Sequence, residues 1–176
     1  MSNQSSNVHI RRLRADEGPR LREIRLRALA EAPTAFGSTL AEAEQRPDAA
    51  WRERAGAAAT GAHSVLFVAE EDGRWLGLAG GLIDGETPPG EVELVSMWVD
   101  PVARGRGIGR ELIEAVLSWA RAGGAVRVRL WVTEGNAPAI TLYRRCGFSL
   151  TSETTPHGWH PDLRELLMQR PLAPDP

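Results

Sequence analysis

The stretch Val99-Asp100-Pro101-Val102-Ala103-Arg104-Gly105-Arg106-Gly107-Ile108-Gly109-Arg110 joins two segments of different periodicity. Before it, Glu91 to Val99 reads as a strand that Asp100-Pro101 ends. After it, Ile108, Leu112, Ile113, Val116, Leu117 and Ala120 mark one face of an amphipathic helix that Gly123-Gly124 stops. The glycines leave main-chain N–H groups bare at that helix's N-terminus, where the macrodipole favours an anion by roughly 0.3–1 kcal/mol at exposed sites. Arginines add charge-assisted bonds, and a diphosphate is the natural guest. The stretch is not the dinucleotide fingerprint, because Arg110 stands where the third glycine of G-x-G-x-x-G falls, and no G-x-x-x-x-G-K exists in the chain. A flexible basic turn is the alternative; the strand-to-helix context favours the phosphate site.

Outward from this centre the pattern predicts strands and helices in the order β-α-α-β-β-β-α-β-α-β-β. Val8 to Leu13 alternates as a short strand, and Asp16 to Ala30 carries Leu21, Ile24 and Ala28 at helical spacing with arginines on the other face. A second helical stretch is interrupted at Pro47 and restarts through Trp51 to Ala59. Ser64 to Glu70 and Arg74 to Ile83 form a hairpin about Glu71-Asp72-Gly73. Val126 to Val132 is a strand, Asn136 caps a short helix stopped at Gly147, and strands over Phe148 to Glu153 and Leu163 to Leu172 close the chain. Hairpins and crossovers together imply an α/β domain with a mixed sheet and helices on both faces, spanning residues 8–172 between tails at 1–7 and 173–176.

The composition narrows the chemistry. With 176 residues and 42% hydrophobic content the chain can bury a core as one domain. All 21 basic residues are arginine, so a phosphate-binding, Schiff-base or general-base lysine is excluded. The formal charge of -2 provides no global basic field, which argues against nucleic acid as the main partner. A single cysteine, Cys146, makes neither an internal disulfide nor a cysteine zinc cage, and no run is long enough for a membrane span. A cytoplasmic protein without a membrane partner is the expectation. His157 and His160 flank Gly158-Trp159 without further metal ligands, so a loop contacting substrate or solvent is expected there and no metal. Trp51, Trp75, Trp119 and Trp131 are expected in the core.

The motifs carry a resemblance. Arg104-Gly105-Arg106-Gly107-Ile108-Gly109 resembles the signature of the GNAT superfamily of N-acetyltransferases, and Asn136 followed by a helix ending in Tyr143-Arg144-Arg145-Cys146-Gly147-Phe148 is similar to a second element of that family. The resemblance extends over the whole predicted domain and implies a GNAT-like, mostly antiparallel sheet with a splayed central strand pair. It implies acetyl-CoA as cosubstrate, its pyrophosphate on the N–H groups of Arg104, Gly105, Arg106, Gly107, Ile108, Gly109 and Arg110. Its pantetheine would lie along Met97, Trp98 and Val99, with Asn136 as a further contact. By the same resemblance Glu93, eleven residues before Arg104, is the general base, and Tyr143, the sole tyrosine, is the acid for the departing thiolate.

A base is needed because an alkyl amine of pKa near 10.4 costs about 4.6 kcal/mol to hold neutral at pH 7. Glu91 shares the strand face of Glu93 and offers a route through water. Solvated strand-end carboxylates and a packed tyrosine are the plain alternatives for these groups. Phe36, His157 and Trp159 are candidate walls for the acceptor, a small-molecule or peptide amine, on loops that vary between relatives of one fold. The family also admits a homodimer. A noncatalytic CoA-binding regulator would use the same loop without needing Glu93 or Tyr143. An RNA-binding module on Arg104 to Arg110 lacks an aromatic stacking platform.

Overall fold

Asp72 and Gly73 close a two-residue hairpin with φ of 47° and 77°, the left-handed pair that a type I′ turn demands. They join β2 (Ser64–Glu71) to β3 (Arg74–Leu82) in a computed structural model that describes residues 8–172. The expected tails lie outside the described residues. The remaining strands are β1 (His9–Arg12), β4 (Glu91–Val99), β5 (Arg127–Thr133), β6 (Ser149–Pro156) and β7 (Arg164–Pro171). They form one seven-stranded sheet in the order β1-β2-β3-β4-β5-β7-β6, antiparallel throughout except where β4 meets β5.

Alternation sorts the side chains onto two faces. Val92 and Leu94 of β4 and Val128 and Leu130 of β5 point to α4 (Ile108–Ala122), whose Leu112, Ile113, Val116 and Leu117 are fully buried against them. Helix α5 (Ala137–Arg145) joins the same core through Tyr143. On the opposite face α1 (Gly18–Glu31), α2 (Leu40–Gln45) and α3 (Asp48–Thr60) cover Leu66, Val68, Leu78 and Trp98, with Trp51 at the centre. The element order is the expected one except that the second helical stretch is two separate helices, α2 and α3, divided at Arg46 and Pro47, and that several ends shift. Helix α3 begins at Asp48, because Pro47 serves as its N-cap residue; β6 runs on to Pro156, resuming its pairing with β7 beyond an irregularity between Leu150 and Thr154. Two tryptophans depart from expectation: Trp119 is half-buried at the margin of the α4 core, and Trp131 is half-buried with the Arg129 guanidinium over its ring at 5.4 Å. The strand residues buried with α1 to α3 come from β2, β3 and β4, and none comes from β5.

Asp100 fixes the end of β4. Its carboxylate accepts from the Val102 N–H at 3.1 Å and pairs with Arg27 and, at 3.0 Å, with Arg74. Burial opposes the charged form, but that N–H and the two guanidiniums outweigh it and hold the carboxyl below its ordinary range. A pKa depressed by folding gives stability that is present above the unfolded value and lost as pH falls through the folded one. Asp100→Asn is expected to cost about 1.5–3 kcal/mol at pH 7. In thermal melts, the gap to the parent should close toward acid pH; a gap independent of pH would remove the electrostatic explanation.

Candidate active site

Strands β4 and β5 pair only at Glu91↔Arg127, Val92↔Val128 and Glu93↔Arg129, then part. From Leu94 to Val99 that edge of β4 has no strand beside it among the described residues. On its other edge β4 carries a bulge: Leu78 faces Trp98 but Gly80 faces Val95, and the extra residue is housed at Ser96, whose φ is +57°. The gap opened by the splay thus runs along the edge of β4 at Met97, Trp98 and Val99 that faces away from β3. Met97 and Val99 turn toward α4, whereas Trp98 packs under α1 and donates from Nε1 to Glu31 at 3.0 Å.

The gap ends at the glycine loop. Gly105 and Gly107 have φ of +79° and +83°, and nothing stands within 4 Å of where a Cβ would sit on either. Gly109 is different, since a Cβ there would meet Leu142 at 3.0 Å and Met97 at 3.2 Å; it lets α4 close on α5 and β4. Among the described residues no group accepts from the N–H of Gly105, Arg106, Gly107, Ile108, Gly109 or Arg110. The side chains are less free than the sequence suggests. Arg104 departs from expectation, its main-chain N–H donating to the Pro101 carbonyl at 3.3 Å and its side chain to the Val99 carbonyl at 3.0 Å and to Glu31 at 2.7 Å, and Arg106 pairs with Glu71 at 2.5 Å. Arg110 makes no ion pair among the described residues. The cradle is therefore main-chain N–H plus dipole, and it fits a diphosphate.

Glu93 stands where the strands part. It is half-buried, with no hydrogen bond or ion pair among the described residues, and burial pushes its carboxyl above the usual range. Arg129 opposite pulls the other way, while Asp84 and Glu165 add to the rise. Glu91 shares its face but is committed: buried, it pairs with Arg127 at 2.5 Å and Arg129 at 4.0 Å. Tyr143 is buried on α5, its ring edge-on to Phe148 at 6.0 Å, and its hydroxyl has no hydrogen-bond partner among the described residues. Burial, with the Cys146 thiol nearby, drives its pKa further up, so it holds its proton at neutral pH. The Asn136 side chain accepts from the Ala139 N–H at 3.3 Å, which fills its N-cap role and leaves its amide NH₂ available.

The loops expected to wall the acceptor are latched together. His157 is buried and its Nε2 meets the Thr34 carbonyl at 3.1 Å; Thr133 donates to the same oxygen at 2.6 Å. Trp159 donates from Nε1 to the Phe36 carbonyl at 2.9 Å, and Phe36 is buried. Phe36 and His157 thus join the segment after α1 to the β6–β7 loop, while Trp159 keeps a partly open face. Sequence reasoning passed over Arg129 and Glu165 and assigned Trp131 to the core; all three lie on the same sheet face as Glu93. The alternation Arg127, Arg129, Trp131, Thr133 on an interior strand was the available signal, because polar residues at period two there must face a site or a partner.

Residues 25–148 match the model of the acetyltransferase (GNAT) family. A mycothiol acetyltransferase of Thermomonospora curvata is 37% identical over 123 residues, covering 70% of this chain and 37% of that protein. The N-alpha-acetyltransferase RimI of Mycobacterium tuberculosis is 42% identical over 86 residues, covering 49% of this chain and 52% of its own length. The aligned region thus spans about a third to a half of these relatives. The Salmonella typhimurium protein yncA, solved with its cofactor acetyl-CoA, superposes with a TM-score of 0.74 at 25% identity, covering 97% of this chain and 99% of that one. No helix among the described residues is long and apolar enough to cross a membrane.

Proposed function

Because this chain belongs to the acetyltransferase (GNAT) family, we propose that it moves an acetyl group from acetyl-CoA to a primary amine by direct attack, with both substrates bound at once. The observation that carries this is the succession, along β4 and the loop after it, of a half-buried Glu93, a strand edge left open by β5 and six N–H groups at the α4 terminus, all without protein partners among the described residues. Acetyl-CoA supplies the activated acyl group. The N–H groups of Gly105 to Arg110 hold its pyrophosphate, and Met97 to Val99 offer main-chain partners to its amide arm, as a strand edge does to an added peptide. Glu93 accepts the proton of the attacking amine; its raised pKa brings it nearer the working pH of a general base. Tyr143, protonated and without a hydrogen-bond partner among the described residues, returns a proton to the sulfur.

Tyr143→Phe is expected to lower kcat by about 100-fold with acetyl-CoA affinity unchanged. Stopped turnover assays beside calorimetric titration of acetyl-CoA separate the two quantities, and unchanged kcat removes the acid role. The reading as a whole is tested by thiol release from acetyl-CoA across a panel of amines and peptides, with product masses. An acetylated amine is the expected product; cofactor binding without turnover on any acceptor would leave a CoA-binding regulator instead. The relatives' names include both mycothiol and an N-alpha amine, so the panel contains small molecules and peptides.

A further inference from the structure

Arg54 stands beside the β4 bulge, near enough to Arg25 and Arg46 for their charges to repel, and none of the three is paired with an acid among the described residues. Arg25 of α1 is buried; its guanidinium lies 4.2 Å over the Phe36 ring, and its Nη2 donates to Ser38 at 3.2 Å. Arg54 of α3 donates from Nη2 to the Ser96 hydroxyl at 3.1 Å, on the one residue of the bulge held at positive φ. Arg46, between α2 and α3, lies 5.2 Å over Trp51. Every ion pair among the described residues is made by other arginines. Arg25 Nη1 is buried and makes no hydrogen bond. Glu42 feels Arg46 at a distance, but no carboxylate among the described residues offsets Arg25 or Arg54. Burial pushes Arg25 down to about 9, with repulsion from Arg54 and Arg46 adding to it, and burial and Arg46 lower Arg54 as well.

Burying guanidiniums without an anion opposes folding, and a bound carboxylate would relieve that cost, since the planar fork of arginine takes a carboxylate through two parallel bonds. The place is informative. Ser96 is three residues beyond Glu93 on the same strand, about 10 Å at the usual rise, so a group held by Arg54 is within a small molecule's length of the base. We propose that Arg25 and Arg54 form an anion clamp for the acceptor, and that the amine this protein acetylates carries a carboxylate. The inference rests on the acetyl-transfer reading above and names the substrate class for it.

The test compares proteinogenic amino acids and short peptides, each beside its C-terminal amide, in the thiol-release assay. Acids are expected to exceed their amides in kcat/KM by about 10- to 100-fold. In Arg54→Gln the ratio is expected to fall toward one through KM, with acetyl-CoA affinity unchanged. Arg25→Met is the companion variant, and Arg54→Gln, at a less buried position, keeps the test open if Arg25→Met fails to fold. Free amino acids preferred over peptide carboxylates would mark a small acceptor, and the reverse a chain terminus; both support the clamp. Amides turned over as well as acids would overturn it, as would an Arg54→Gln variant that loses acetyl-CoA instead. If nothing is acetylated, thermal melts with the same pairs decide. Stabilisation of the parent by acids alone, absent in Arg54→Gln, would support the clamp while the transfer reading fails; equal melts with acids and amides would overturn the clamp.

Discussion

Glu93→Gln is expected to lower kcat/KM for an alkyl amine at pH 7 by about 100-fold or more, the usual worth of a positioned general base. The carboxyl is half-buried, makes no internal bond among the described residues, and is raised by burial against the pull of Arg129. Corrected for the amine's own ionisation, the parent's kcat/KM should fall on the acid side along a limb lying above the ordinary glutamate value of about 4.3, and the variant should lack that limb. The stability change has a definite sign. A carboxyl whose pKa is higher folded than unfolded costs stability once pH exceeds the unfolded value, so glutamine removes a cost and the melting temperature at pH 7 should hold or rise. Loss of activity without loss of stability is the signature sought. Glu91→Gln should behave the opposite way, since it strands Arg127 and reduces stability. An unchanged rate and profile in Glu93→Gln would remove Glu93 as the base.

Gly107→Trp is expected to raise the acetyl-CoA Kd by more than about 100-fold, equivalent to roughly 2.7 kcal/mol or more of lost binding. Two effects of this substitution differ in size. Its φ of +83° strains any other residue by about 1–2 kcal/mol. Among the described residues no atom beyond Gly107 and its two chain neighbours stands within 4 Å of the Cβ position, so the indole fills the space through which a diphosphate reaches the N–H groups. Gly107→Ala carries the strain with far less of the blockage, and titration of acetyl-CoA into both variants, beside their melting temperatures, separates the two. Comparable weakening in both would trace the effect to backbone strain. Retained affinity in Gly107→Trp would place the cofactor elsewhere.

Features set by local chemistry were legible in the sequence. Asp72-Gly73 encodes its hairpin, Asn136 caps α5, and the change of period about the glycine loop marks a strand leading to a helix N-terminus. Features set by pairing at a distance were not. The splay follows from where β5 leaves β4, and the Ser96 bulge follows from the register of β3; neither has a local sequence signature. Arg25 looked like part of the solvated arginine face of an amphipathic helix, and packing of the Phe36 and Ser38 segment against it buried it. The contacts of His157 with the Thr34 carbonyl and of Trp159 with the Phe36 carbonyl had no sequence signal either, because they arise where two loops meet and buried carbonyls need donors. Arg104 and Arg106 looked like phosphate ligands, yet Glu31 and Glu71, distant in sequence, engage their side chains.

The most direct measurement is a crystal structure of the protein soaked with coenzyme A. The expected result is diphosphate oxygens at about 2.7–3.2 Å from main-chain nitrogens between Gly105 and Arg110, with the amide arm along Met97 to Val99. Coenzyme density seated elsewhere on the molecule, with those nitrogens still facing solvent, would contradict it.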